Sequence, residues 1–420
     1  MKTKLTGKEQ DTMVNFACRA PPKNALSITT SGRQLLALDN NKLLAKFAIS
    51  VDKELITVKG RELTPPSIAY RNTGQMITPE NGGWLMMKVK VSKPGRHIGT
   101  WTFLSIERSP NEGVKATVGK FGGFMSQNMG ININKVPSPP AGIRTAVPQN
   151  EDQLRSAFIQ LQKLQKRPDL VLVVLPFKDT AIYNMVKKLA DVEYGFNTVC
   201  VVQEKLMQEK GQFGYFANVA LKVNLKFGGV NHSISNQDIK ADKTMYVGYD
   251  VTHPTNLAPG AGDNAPSIVG LVASIDSDLG QWPAVAWQNP PRQEMVNDKK
   301  KFVEKFKGRL TLWRNKNQTR LPENIVIFRD GVSEGQFKTV LDEEVPLIRE
   351  ACQALYTQKQ PRISLIVSVK RHQTRFYPTD PAHIHHRSKS PKEGTIVDRG
   401  VTNVRYWDFF LQAHASLQGE

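Results

Sequence analysis

The order of apolar runs along this chain changes once, and that change constrains the fold more than any other feature. From about residue 106 to 235, strand-like and helix-like patterns alternate. Leu170-Val171-Leu172-Val173-Val174-Leu175 is a continuous apolar run of strand length, as expected of a strand buried on both faces. A helix with Leu154, Phe158, Leu161 and Leu164 on one face precedes it, opening at Asn150-Glu151-Asp152. A helix around 180–190, a strand at Thr198–Val202 and a helix around 213–226 follow. Strands separated by helices predict a parallel sheet. From about 236 three strand-like runs come in succession: Met245–Val251, Ile268–Ile275 and Ala284–Trp287. A long helix starting near Glu294 then carries Phe302, Phe306, Leu310 and Trp313 on one face. A strand, Ile325–Phe328, ends at Asp330, a helix spans about 336–356, and a last strand covers Ile363–Val369. Pro346 is expected to kink the second of these helices.

Acidic residues fall at the ends of these elements. Asp250 follows the first strand of the second half, Asp330 follows the fourth, and Glu294 is expected to open the helix between them. Carboxylates so placed can converge on one sheet edge and share divalent cations, because Mg²⁺ prefers hard oxygen ligands. A three-strand meander, a helix and a strand, with acids after the first and fourth strands, is the order of an RNase H-like domain. An isolated aspartate before glycine more often caps a turn; two on adjacent strand ends with a glutamate between argue against that reading.

Charge narrows the partner. Lys plus Arg number 57 against 38 Asp plus Glu, a net charge of +19, which calls for a polyanion. A membrane is disfavoured, since Leu170–Leu175, the longest apolar run, is far too short to span one. The start, Met1-Lys2-Thr3-Lys4, shows no signal-peptide pattern. Cys18, Cys200 and Cys352 are scattered and odd in number, which fits a reducing compartment and no zinc site. A cytoplasmic location, or a nuclear one as well, is therefore expected. Residues 1–105 show only short strand-like runs at Phe47–Val51 and Leu55–Val58, and no catalytic constellation. His383–Lys392 reads as a polar, basic surface loop.

Together these motifs resemble one family. Asp250-Val-Thr-His-Pro, Arg292-Gln-Glu294, Arg329-Asp330-Gly-Val-Ser-Glu-Gly-Gln-Phe337, Lys370-Arg371-His372-Gln-Thr-Arg375 and Asp408-Phe-Phe-Leu-Gln-Ala-His414 resemble the Piwi domain of eukaryotic Argonaute proteins. Tyr183 through Lys187, with Leu221 through Asn231, resembles their Mid domain. The resemblance implies a remnant of PAZ at 1–20, linker L2 at 21–105, a Rossmann-like Mid domain at 106–235 and an incomplete RNase H-like Piwi domain at 236–420. It implies an endoribonuclease in which Asp250, Glu294 and Asp330 are catalytic, Asp250 and Asp330 holding Mg²⁺ or Mn²⁺. It also implies that Tyr183 stacks on the first base of a small guide RNA while Lys187, Lys222 and Lys226 hold its 5′-phosphate. The family commonly has glutamine where Val199 stands; Thr198 is expected to offer a hydroxyl instead. The loop 176–180 falls where the family reads the first base. Lys370, Arg371, His372 and Arg375 would contact the backbone of a guide–target duplex without reading sequence. A complementary target RNA and silencing-complex proteins are the further partners implied.

In the family a fourth metal ligand lies well downstream of the second aspartate, beyond a position equivalent to Glu420, and His414 does not occupy it. An alternative therefore stands beside the nuclease: a guide-binding silencing scaffold that does not cleave.

Overall fold

The computed structural model describes residues 7–71, 76–86, 89–108, 112–234, 243–254, 264–370 and 372–414. These form two compact units, one of Met1–Ser67, Ile77–Leu85 and His372–Glu420, the other of Ile68–Met76 and Met86–Arg371.

The larger unit is mixed α/β and holds two principal sheets. In the first, β1 (Trp101–Glu107), β2 (Ile143–Ala146), β3 (Leu170–Leu175) and β4 (Thr198–Val202) are all parallel, in the order β2-β1-β3-β4. Every residue of β3 is buried, which accounts for its unbroken apolar sequence. Burying each such side chain is worth about 1.5–3 kcal/mol, and the two faces of the sheet pack into separate apolar clusters. The longer helices beside these strands are α1 (Glu112–Gln127), α2 (Glu151–Gln162), α3 (Thr180–Lys187) and α4 (Gln212–Lys226), with a short one at Gln203–Met207. Asn150 caps α2 by accepting from Gln153 N at 3.1 Å, and Asp179 caps α3 by accepting from Ile182 N at 2.8 Å. Beyond Lys187 the helix continues in a wider π-type stretch, Lys188–Tyr194, and stops at Gly195 with φ +68°, a left-handed conformation glycine adopts without penalty.

The second sheet has five strands: β5 (Thr244–Thr252), β6 (Ser267–Ala273), β7 (Ala284–Asn289), β8 (Asn324–Asp330) and β9 (Arg362–Ser368). Their order is β7-β6-β5-β8-β9. The first three form the antiparallel meander, and β8 lies parallel between β5 and β9. That is an RNase H-like arrangement. Helix α5 (Lys299–Lys316) buries Phe302, Phe306, Leu310 and Trp313. It starts later than expected: its cap is Asp298, which accepts from Lys301 N at 2.9 Å, so Glu294 lies in the preceding loop and not in the helix. The long helix expected over 336–356 is present as one continuous helical run over 334–353, widened by a π-type stretch at Val340–Glu344 before α6 (Val345–Gln353). Pro346 directly follows the π-type stretch, so the helix takes the proline by widening locally.

The smaller unit overturns two expectations. Phe47–Val51 and Leu55–Val58 are not strands; Phe47 and Ile56 are 70% and 75% exposed, so no partner face orders them. The segment 383–392 is more than a polar surface loop. It follows a helical turn at Pro381–His383, pairs Ile384 with Pro391, and buries His385, Ser388 and Ser390. The His385 ring Nδ1 shares a 2.9 Å hydrogen bond with Ser388 Oγ, which lets polar residues be buried. Arg61–Glu62, Thr395–Val397 and Phe410–Leu411 form a small sheet in this unit.

Candidate functional site: a carboxylate centre and a lysine cluster

β5 and β8 run parallel with Arg329 opposite Tyr249, so Asp250 and Asp330 follow as neighbours at the carboxyl ends of adjacent strands. The loop before α5 brings Glu294 to the same place. The meeting point is Gly331, whose φ is +82°: a Cβ there would lie 2.8 Å from Glu294 Oε1 and 3.1 Å from Asp250 Oδ1. All three acids expected from the sequence thus converge.

A buried network positions Glu294. Arg329, fully buried, donates from Nη1 to Glu294 Oε1 at 2.7 Å and from Nη2 to the Glu294 carbonyl at 2.9 Å. The same guanidinium meets buried Glu344 at 3.1 Å and lies 4.8 Å from the centre of the Tyr249 ring. Tyr249 Oη donates to Glu344 as well. Burial works against the charge on Arg329, but Glu344, Tyr249 and Glu294 together outweigh it and the net shift is upward. Burial, aided by Glu344, raises the Tyr249 phenol well above its ordinary value. On its other side Glu294 Oε2 lies 3.1 Å from His253 Nε2, and His253 Nδ1 lies 2.8 Å from Ser267 Oγ. Asp330 pairs with Lys370 at 2.5 Å.

The donors suit a divalent cation in kind: two adjacent aspartates and a glutamate, all hard oxygens. Among the described residues no group of three acids or histidines is gathered to metal-binding distance, because Glu294 faces Arg329 and His253 while Asp330 faces Lys370. Mg²⁺ keeps several waters and needs only one or two carboxylates, so Asp250 and Asp330 fit it.

The lysine cluster belongs to the first sheet. Lys187, the last residue of α3, donates to Thr198 Oγ1 at 2.9 Å and to the Thr198 carbonyl at 3.2 Å. The Thr198 hydroxyl, at the start of β4, is fully buried; it orients Lys187 rather than facing solvent. Lys226, the last residue of α4, has its pKa lowered by desolvation and then by Lys187. Lys222 is one turn before it. Burial pushes the Cys200 thiol up to about 11, against the lowering influence of Lys187, Lys226 and Lys222, so all three charges are felt at this side chain. Tyr183, one turn before Lys187, is 42% exposed. At the C-terminus of α4, Lys226 also gains from the helix dipole.

The expected basic run is only partly gathered. Lys370 is on Asp330. His372 lies in the smaller unit with its ring 5.5 Å from Phe410, and Arg375 donates to the His372 carbonyl at 2.6 Å. Arg371 lies outside the described residues.

The sequence reading missed the roles of Arg329, Glu344 and His253. A charged residue inside the apolar run 325–330 signals a buried partner, and so Arg329 could have been found. Glu344 gives no such signal among the acids Asp342, Glu343 and Glu344.

An RNase H-like sheet with three acids converging at its edge, next to a parallel α/β layer, defines a Piwi-type protein. The Piwi domain family matches residues 170–420, and the Argonaute linker 2 domain matches residues 23–70. The chain belongs to the Argonaute family. It is 29% identical to Protein argonaute 5 of Arabidopsis thaliana and 31% identical to Protein argonaute MEL1 of Oryza sativa subsp. japonica, over 99% of its own length. It spans about two fifths of the length of these curated relatives, 42% and 41%. The N. crassa QDE-2 AGO MID-PIWI domains are 51% identical, over 67% of this chain and 76% of that one, with a TM-score of 0.58. The Kluyveromyces polysporus Argonaute solved with a guide RNA shares the fold over 100% of this chain and 49% of its own, at a TM-score of 0.77 and 22% identity. Among the described residues no helix is long and apolar enough to cross a membrane.

Proposed function

We propose that this chain anchors the 5′-phosphate of a small guide RNA at the lysine cluster and presents a complementary RNA to the carboxylate centre for hydrolysis of one phosphodiester bond. The convergence of Asp250, Glu294 and Asp330 on Gly331 carries this reading. Lys187, Lys222 and Lys226 hold the terminal phosphate through charge-assisted hydrogen bonds, and Tyr183 offers a ring face for the first base. Asp250 and Asp330 would hold Mg²⁺ or Mn²⁺. Bound there, such ions lower the pKa of a water and offset charge on the reacting phosphate. Glu294, fixed by Arg329 and His253, keeps a carboxylate beside that position without competing for it. Lys370 balances the charge on Asp330 and can reach a phosphate oxygen of the bound strand.

A second reading, guide binding without cleavage, is favoured by one observation: both oxygens of Glu294 and one oxygen of Asp330 already have cationic or imidazole partners. One experiment decides between them. The chain is loaded with a 5′-phosphorylated guide and given a complementary RNA in Mg²⁺ or in chelator, with Asp250→Ala as control and guide binding followed in parallel. Cutting at one position, lost in chelator and in the variant, supports the nuclease; binding without cutting supports the scaffold; equal affinity for phosphorylated and unphosphorylated guides removes both.

A further inference from the structure

One group in the lysine cluster has the sign that a phosphate pocket should exclude. Asp191 stands four residues after Lys187, in the π-type stretch Lys188–Tyr194, and its Oδ2 lies 3.7 Å from Lys187 Nζ. Such widened helical stretches recur at functional positions. An i,i+4 lysine–aspartate pair on a helix surface is ordinarily a solvated pair of small consequence. This one differs because its partner is tied down. Lys187 has three donors, and Thr198 takes two hydrogen bonds from it, so the ammonium is fixed, with Asp191 Oδ2 3.7 Å from it and one donor left for a ligand. The carboxylate also acts beyond its own helix, on Lys226 at the end of α4 and on Cys200 in β4. Asp191 is therefore within the field of the cluster and not directed away from it.

We propose that Asp191 sets the charge the pocket accepts, so that an RNA end bearing one phosphate is preferred to an end bearing three. This rests on the reading of the cluster as a 5′-end pocket. Lys187, Lys222 and Lys226 bring three positive charges and Asp191 removes one. The remainder balances a terminal phosphomonoester, which carries about −1.5 to −2 near neutral pH. Two further phosphates exceed that balance, and their added charge meets a like charge. Asp191 also gives Lys187 an anion in the absence of guide, one that a phosphate displaces. It acts through charge alone and takes no part in the chemistry at Asp250 and Asp330.

The test uses one RNA sequence with a 5′-hydroxyl, a 5′-monophosphate or a 5′-triphosphate, at fixed ionic strength, on the parent chain, Asp191→Asn and Asp191→Glu. The side chain is about half exposed and asparagine is isosteric, so folding is preserved. The parent binds the monophosphate most tightly. Asp191→Asn is expected to tighten the triphosphate more than the monophosphate, narrowing their affinity ratio about fivefold, while Asp191→Glu keeps the parent ratio. If Asp191→Asn changes both affinities by the same factor, the inference is overturned and the pocket reading stands. If the parent does not distinguish monophosphate from hydroxyl, the pocket reading fails, and the inference with it.

Discussion

The two charged sites occupy opposite ends of their strands and are built in opposite ways. The carboxylates gather where β5 and β8 finish, the usual place for a ligand on an α/β sheet. The lysines gather where β4 begins and where α3 and α4 end. The carboxylate centre is braced from beneath: Arg329 and Glu344 are buried and hydrogen-bonded on several sides, and they fix Glu294 before any ligand arrives. In the lysine cluster one charge, Lys187, is held by a buried hydroxyl, while Lys222 and Lys226 reach the surface, Lys226 partly desolvated there. A reaction centre needs its groups in place beforehand, whereas a phosphate pocket can be completed by the phosphate. Removing a support should therefore cost folding at one site and affinity at the other.

The largest effect is expected from Arg329→Met. It strands Glu344 in the core without its cation, and an unpaired buried charge costs about 3–5 kcal/mol. The urea midpoint of unfolding should fall accordingly, and Arg329→Met with Glu344→Gln should recover much of the loss. A single variant as stable as the parent would show that the brace bears no load, and the contrast between the sites would collapse. Next comes Lys187→Ala, which should leave the unfolding midpoint near that of the parent. Affinity for a 5′-phosphorylated guide should fall about 10- to 100-fold, the worth of a charge-assisted hydrogen bond, with little change for a 5′-hydroxyl guide.

Gly331→Ala probes the brace from above. Its φ of +82° disfavours any Cβ, and the added atom would lie 2.8 Å from Glu294 Oε1. Backbone strain of this kind costs about 1–3 kcal/mol, and Glu294 must shift. Stability and any metal-dependent cutting should drop together while guide affinity holds. Unchanged cutting in this variant would mean that the position of Glu294 does not matter.

Period and order made much of this architecture legible. The apolar run 170–175 announced a strand covered on both faces, and the succession of three strands before α5 announced the meander. Asp250 and Asp330 were legible because each closes such a run. The start of α5 was misread because amphipathic spacing runs back through Met295 and Val296; what stops the helix is the Asp298 cap, and Val296 is buried by the loop itself. The segment 383–392 was misread because polar residues imply solvent unless their hydrogen-bond partners are known, and those of His385 lie within the turn it makes. Glu344 was invisible for a related reason: it lies on a helical stretch while its partners, Arg329 and Tyr249, come from two strands, and no local pattern records them.

The smallest expected effect belongs to Thr198→Val, and it separates a bound lysine from a merely nearby one. Valine keeps the shape of the buried side chain and removes the hydroxyl that accepts from Lys187 at 2.9 Å. The Thr198 carbonyl still accepts, so the ammonium keeps one of its two supports. A neutral-acceptor hydrogen bond of this kind is worth about 1 kcal/mol, about fivefold in affinity for a 5′-phosphorylated guide. The loss should appear only with the phosphate present, because the hydroxyl is buried and touches no RNA. If Thr198→Val also weakens the 5′-hydroxyl guide, the residue acts by packing the start of β4. If it weakens neither, Lys187 finds its place without help, and the lysine cluster is less organised than its geometry implies.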